Sequence, residues 1–428
     1  MKIIADLHVH SKYARATSPT FDLNGIAEGA KLKGIDVVAT GDFTHPKYFE
    51  EIKATFGTGA DIWNSGLASY AGVRFILSTE VSVIYELNGK TKKMHHVLLA
   101  PSLEIAAQIN ERTRKFGDIG VDGRPMLHVS SAGLVEELMQ ISRDIAIIPA
   151  HIWTPWLSVF GSSSGVDSIE EAFEDKADKI FALETGLSSD PLMNWMISAL
   201  DKYTLVSNSD AHSKQKLGRE ANVFEFGNAG ENDASGVTYG SLINAIKTRR
   251  GFVKTYEFYP EEGKYHYDGH RDCKVNITPW QAKEYKNICP VCRRKLTIGV
   301  MHRVADLADR KFGFKPERAV PFQHIVPLPT VIAKALKKSE AAKGVWEEYD
   351  KLIHYFGNEF AVYEAKDEQL RFATSMEISN AIIRVNKGEV KWIPGHDGVF
   401  GELVLDAEPK GKKAETVDKK QTNLAEFG

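Results

Sequence analysis

"KIIADLHVHS" (residues 2–11) and "YTLVSNSDAH" (203–212) follow one plan: a short apolar run, then polar groups at alternate positions. Side chains two apart on an extended chain point to one side. His8 with His10, and Asp210 with His212, are therefore each a candidate pair of metal ligands. Imidazole nitrogen and carboxylate oxygen are the donors that zinc and manganese take.

Working outward, the same plan recurs. Apolar runs at 36–40 (DVVAT), 74–79 (RFILST), 94–99 (MHHVLL), 145–150 (IAIIPA) and 179–183 (KIFAL) carry or lead into Asp42 and His45, Glu80, His95 and His96, His151, and Glu184. Helical patterns separate several of them, such as "NGIAEGAKLKG", "LEIAAQINERTRKFG" and "LMNWMISALDK". Alternating strands and helices predict an α/β fold with a mainly parallel sheet, open or closed into a barrel. In parallel barrels the C-terminal strand ends form the active-site face. A single His there is usually structural, the reading we give His128, His302, His324, His354 and His396. His, Asp or Glu after at least five successive strands points instead to a polynuclear metal site.

The remaining composition narrows the classes. With 428 residues the chain has room for two or three domains. Hydrophobic (43%) and charged (26%) fractions are those of a globular protein, and no apolar window is long enough for a membrane span or signal peptide. Three cysteines make no disulfide framework, so a reducing cytoplasm is expected. A net charge of −3 leaves nucleic-acid contact to local patches, with "RTRK" (112–115), "KTRR" (247–250) and "RRK" (293–295) as candidates. No Walker-type phosphate loop occurs, which argues against nucleoside triphosphate hydrolysis.

"ADLHVHS", "TGDFTH", the strand-end Glu80, the later His151 and "NSDAH" together resemble the polymerase-and-histidinol-phosphatase (PHP) family. That resemblance implies a distorted seven-stranded β/α barrel, (β/α)7, holding up to three metals for phosphoester hydrolysis. It implies that His8, His10, Glu80 and Asp210 hold the catalytic metal, that Glu80, His96 and His151 hold a second, and that Asp42 and His212 help hold a third. His96 is chosen over His95 because the family's histidine directly precedes the apolar run, here "VLLA". Zinc is the expected ion, with magnesium or manganese as alternatives. The chain lacks the Asp or His that many relatives carry after the first motif, in "KYARATSP".

After the barrel (1–255), residues 256–300 carry His270, Cys273, Cys289 and Cys292, two close pairs separated by fifteen residues. This spacing fits a structural zinc site with one His and three Cys. Residues 301–405 are expected to be mainly helical and to bind or support, and 406–428 to be a disordered tail. The ordered set, with "CPVCRRKLTIGVMHRVADLADR" after the barrel, resembles the endonuclease Q family over essentially the whole chain. That resemblance implies damaged DNA as partner, cut 5′ to deaminated bases (uracil, hypoxanthine, xanthine) or abasic sites. An enzyme of that kind extrudes the base it examines. The candidates for reading it are Trp153, Trp156 and Phe160, in the loop after His151, with Ser207 and Asn208 beside Asp210. Gln421, Leu424 and Phe427 resemble the peptide with which DNA-repair enzymes bind the sliding clamp PCNA. The two competing expectations are a small-molecule phosphatase of the same fold and a DNA-binding adaptor without activity.

Overall fold

The computed structural model describes residues 1–59, 62, 63, 65–227 and 236–405. The clamp-peptide residues Gln421, Leu424 and Phe427 lie outside them. Seven strands form the framework: β1 (Lys2–Asp6), β2 (Val37–Ala39), β3 (Val73–Leu87), β4 (Lys90–Ala100), β5 (Ala146–Pro149), β6 (Ala182–Glu184) and β7 (Thr204–Val206). β1, β2 and β3 are parallel neighbours, whereas β4 runs antiparallel to both β3 and β5. β6 and β7 pair in parallel apart from that sheet. Single contacts complete the ring. The Ile152 N–H donates to the Glu184 carbonyl (3.0 Å), and Val9 bridges to Ala211, with the His10 N–H donating to the Ala211 carbonyl (2.9 Å). The expected distorted β/α barrel is thus present.

Its distortion has a local cause. β1 cannot pair fully with β7 because its other edge is occupied by β8 (Ala221–Glu225), antiparallel from Lys2↔Glu225 to Ala5↔Asn222. β9 (Phe252–Glu257) extends that edge, and the short strand Phe322–His324 pairs in parallel with it. The sheet therefore continues past residue 255 into the second half of the chain. β3 and β4 are also longer than the apolar runs suggest, forming a hairpin through Asn88 (φ 52°) and Gly89 (φ 71°). Two left-handed residues are what a type I′ turn requires.

Expected helices form at Leu23–Lys33, Leu103–Thr113, Leu328–Leu336 and Lys343–Phe356. The one read from "LMNWMISALDK" does not. It is cut to Pro191–Asn194 and a 3-10 turn at Ser198–Leu200, because Asp309 takes the Ser198 backbone N–H (2.8 Å) and Ile197 is extended. No helix among the described residues is long and apolar enough to cross a membrane.

One continuous core runs from the barrel (Ile3, Val38, Leu98, Ile147) into the helical region (Leu328, Ile332, Leu352, Ile382). The small module between them has a separate core of only Val275, Ala282, Cys289 and Leu296. So few side chains cannot offset the ordering entropy of the module, which therefore needs a cross-link.

Candidate active site

The middles of β3 and β4 and the segments that follow β1, β5 and β7 bring two ligand groups together. His8, His10 and Asp210 form one, and Glu80, His95 and His151 the other; within each, the donor atoms lie within 4.8 Å of one another. Glu80 joins them. Its Oε1 is 2.7 Å from His95 Nδ1 and 2.9 Å from His151 Nε2. Its Oε2 is 3.3 Å from His10 Nε2 and 3.8 Å from His8 Nε2. Asp210 Oδ1 stands 3.0 Å from His10 Nε2 and 3.8 Å from His8 Nε2.

His8 Nε2, His10 Nε2 and Asp210 Oδ1 are all buried, and none makes a hydrogen bond. Three converging donors without partners are costly unless something else satisfies them. The two imidazoles and the carboxylate suit a divalent ion.

Carboxylates behind the histidines fix their rings. His8 Nδ1 is 3.1 Å from both Glu184 oxygens, which also take the His151 N–H (3.0 Å) and the Asn208 amide (2.8 Å). His10 Nδ1 is 2.9 Å from Asp42 Oδ1, and Asp42 Oδ2 accepts from Ser11 Oγ at 2.7 Å. Such partners set which ring nitrogen points inward. Burial alone would push the His8 and His10 pKa values down, but Glu184 and Asp42 pull them well up. Burial would raise Glu80, yet His95 and then His10, His151 and His8 hold it well below the usual carboxylate range. Burial takes His95 down to about 4 despite Glu80. Asp42 (φ 42°), His151 (φ 29°) and Asp210 (φ 47°) all occupy the left-handed region. Strain of this kind in non-glycine residues gathers at functional sites.

Several expectations change. His95, not His96, faces Glu80, because neighbouring residues on a strand point to opposite faces. His96 turns away to Ser131 Oγ (2.9 Å) and the Phe173 ring (5.2 Å). Asp42 holds a ligand's ring and has both oxygens engaged, so it is not itself in either ligand group. His212 lies beside His10 (ring centroids 4.5 Å), its Nδ1 2.9 Å from the Asp210 carbonyl oxygen, and joins neither group. Among the described residues no third ligand group forms in the barrel.

Of the proposed base readers, Trp153 is buried, donates Nε1–H to Asn194 Oδ1 (2.8 Å) and packs on the buried Phe160 (4.9 Å). Ser207 donates to the Tyr256 carbonyl, and Asn208 is tied to Leu7 and Glu184. These four support the framework. Trp156 alone stands free, 55% exposed, edge-on to Tyr265 at the rim of a cavity of about 860 Å³.

Sequence reading missed Arg124. Its Nη1 lies 3.2 Å from Glu80 Oε2, making it a fixed cation at the mouth of the site. The loop "GDIGVDGRP" that carries it offers no apolar run to mark it, and its two aspartates accept from the loop's own backbone, although its glycines mark a turn. At the module, His270, Cys273, Cys289 and Cys292 do converge, with Cys292 Sγ 3.6 Å from His270 Nδ1.

Comparison with known proteins bears on these features. The MJ0043 C-terminal domain family matches residues 327–389. The uncharacterized protein MJ0043 of Methanocaldococcus jannaschii is 31% identical over 258 residues, 59% of this chain and 31% of that protein, so the match spans under a third of that relative. The uncharacterized protein YqxK of Bacillus subtilis is 27% identical over 94% of this chain and 99% of its own. The crystal structure of the lesion-specific endonuclease PfuEndoQ from Pyrococcus furiosus superimposes with a TM-score of 0.82 at 31% identity, covering 94% of this chain and 95% of that one. A structure of endonuclease Q with a 27-mer duplex bearing an abasic lesion at the active site gives 0.80 at 32% identity, covering 94% and 96%.

Proposed function

The chain belongs to the endonuclease Q family, and from that premise we propose that it is a metal-dependent DNA repair endonuclease that hydrolyses the phosphodiester 5′ to a deaminated base (uracil, hypoxanthine or xanthine) or an abasic site. The observation that carries the reading is Glu80, a buried carboxylate whose two oxygens face two separate ligand groups. His8, His10 and Asp210 would hold one divalent ion and His95 and His151 a second, and Glu80 presents one oxygen to each group. Divalent ions bound there supply a Lewis acid for the phosphate and an activated water as nucleophile. Zinc suits this donor set, and manganese or magnesium are the alternatives tested below.

The chain's own side chains do the rest. Glu184 and Asp42 keep the His8 and His10 rings aimed inward. Arg124 neutralises a phosphate oxygen beside Glu80, a preorganised charge of the kind that lowers the barrier for phosphoryl transfer. Trp156 offers a π-face for an extruded base. His270, Cys273, Cys289 and Cys292 hold a structural zinc, which leaves Arg293, Arg294 and Lys295 to face DNA phosphates. Gln421, Leu424 and Phe427 bind the sliding clamp PCNA, the two apolar side chains in a hydrophobic groove. Gly428 stands where the usual clamp peptide has a second aromatic, which weakens that contact.

The test is incubation with end-labelled duplexes carrying one deoxyuridine, deoxyinosine or abasic site, with zinc, manganese or magnesium added singly. A nick on the 5′ side of the lesion is expected, and none in undamaged DNA. Release of phosphate from small esters without nicking would replace this reading with the phosphatase. Deleting 421–428 should leave nicking of short duplexes unchanged and abolish stimulation by the clamp; undiminished clamp binding would refute that assignment.

A further inference from the structure

The loop that carries Arg124 has an apolar tip. Val121 is 77% exposed, among the most exposed of the large hydrophobic residues. It lies three residues before Arg124, so it stands within about 11 Å of that residue along the chain. Arg124 in turn reaches Glu80 Oε2. An uncovered aliphatic group this close to a site for a polyanion gains nothing from water or from phosphate.

The tip is held rigidly. Ile119 is buried beneath it, and Asp118 Oδ1 accepts from the Gly120 N–H (2.8 Å). The Asp122 carboxylate accepts from the Arg124 N–H (3.0 Å) and the Arg15 N–H (3.3 Å), turning its charge back onto the loop. The Gly123 N–H donates to the Tyr13 carbonyl (3.0 Å), and Pro125 accepts from the Ser82 N–H (2.9 Å). Gly123 lies so close to Asp42 that a Cβ there would meet Oδ2 at 2.5 Å, so the loop cannot settle deeper. Between Asp118 and Pro125 this frame leaves Val121 as the outward apolar side chain; Met126, next in the chain, is half exposed and already lies in a strand paired with β3. Trp156, also exposed, lies five residues after His151, which contacts the other oxygen of Glu80.

We infer that Val121 is a wedge, inserted into the DNA base stack where the lesion nucleotide has left it, while Trp156 receives the nucleotide. Apolar side chains that enter between base steps offset the loss of stacking, and extrusion from a duplex is the step that needs this help. The inference rests on the nicking activity proposed above and adds the residue that keeps the gap open.

The experiment separates the two. Wild-type protein, Val121→Ser and Val121→Leu are assayed for nicking of the same deoxyuridine strand, single-stranded and in duplex. Val121→Ser should slow duplex nicking by about tenfold and change single-strand nicking by less than about twofold, because no gap forms there. Val121→Leu should restore the duplex rate. In parallel, Asp210→Asn, alone and with Val121→Ser, is titrated into a duplex with 2-aminopurine opposite the lesion. The fluorescence rise that reports extrusion should be lost with Val121→Ser. Equal loss on both substrates, or an unchanged rise, would overturn the wedge. Absence of nicking by the wild type with the rise intact would overturn the nuclease reading and leave the wedge standing.

Discussion

Glu80 is a residue whose two oxygens cannot be replaced singly. Glu80→Gln would keep the volume and present an amide to one of the two groups, so activity should be lost with the fold retained. A sharper comparison lies next door. His95→Ala should lose one equivalent of barrel metal and the nicking activity. His96→Ala should keep both and lower stability by about 1–3 kcal/mol, since it leaves Ser131 short of a partner in the core. Elemental analysis and a nicking assay on the same preparations check this, and metal loss in His96→Ala instead would reverse the assignment. The comparison also shows what sequence can and cannot say about a site. His8, His10, Glu80, His151 and Asp210 could be picked out as candidates because each closes or follows a recognisable apolar run. His95 and His96 are adjacent, and only the register Val81↔His96, Ser82↔His95 decides which one turns inward. Asp42 has the chemistry of a ligand; its hydrogen bonds to Ser11 and His10 give it another task. Arg124 depends on a loop path that no local pattern encodes.

At the scale of elements, the loop after β5 sorts its aromatics by burial. Trp153→Ala should cost about 3–5 kcal/mol of stability, as deletion of a packed aromatic does. Trp156→Ala should leave stability within about 0.5 kcal/mol and weaken lesion-containing DNA by about 1–3 kcal/mol, with undamaged DNA little affected. Denaturant midpoints and binding titrations measure the two effects, and equal loss on damaged and undamaged DNA would return Trp156 to a packing role. The module offers a second test. With four side chains in its own core, it depends on its cross-link. Cys289→Ser should release one zinc per chain and loosen residues 265–298 to hydrogen exchange, while the barrel keeps its protection. An unchanged zinc count would show the four ligands to be empty. The strand–helix alternation was legible in the sequence. The antiparallel β4 was not, because strand direction follows from the Asn88–Gly89 turn and pairing partners, not from periodicity.

The molecule as a whole is seamed by buried acids at the junction of barrel and C-terminal half. Glu257, in β9, accepts from Thr185 Oγ1 (2.9 Å) and lies in the strand that Phe322–His324 joins. Burial raises its pKa to about 8, against the hydrogen bonds from Thr255 and Thr185 that favour the anion. Glu220 is pushed well up by burial and by Glu257 and Glu184. Both therefore hold protons in the folded state that the unfolded chain has released. Stability from this source is complete below the unfolded carboxyl pKa of about 4.3 and is lost as pH rises toward the folded value. Glu257→Gln, which imitates the protonated form, should flatten the fall in denaturant midpoint between pH 5 and pH 8.5 at constant metal; an unchanged slope would sink the account. The same joining of distant segments has a consequence in time. β1 is flanked by β8, and the His8–His10 segment is bridged to Ala211, some two hundred residues further along the chain. At a synthesis rate of about 5–20 residues per second, the first ligand pair waits on the order of 10–40 s for Asp210 to emerge. Through that interval β1 has neither of its late neighbours, so ion capture by the first group belongs to the end of folding, and its rate is set by the slow closure of a long chain loop.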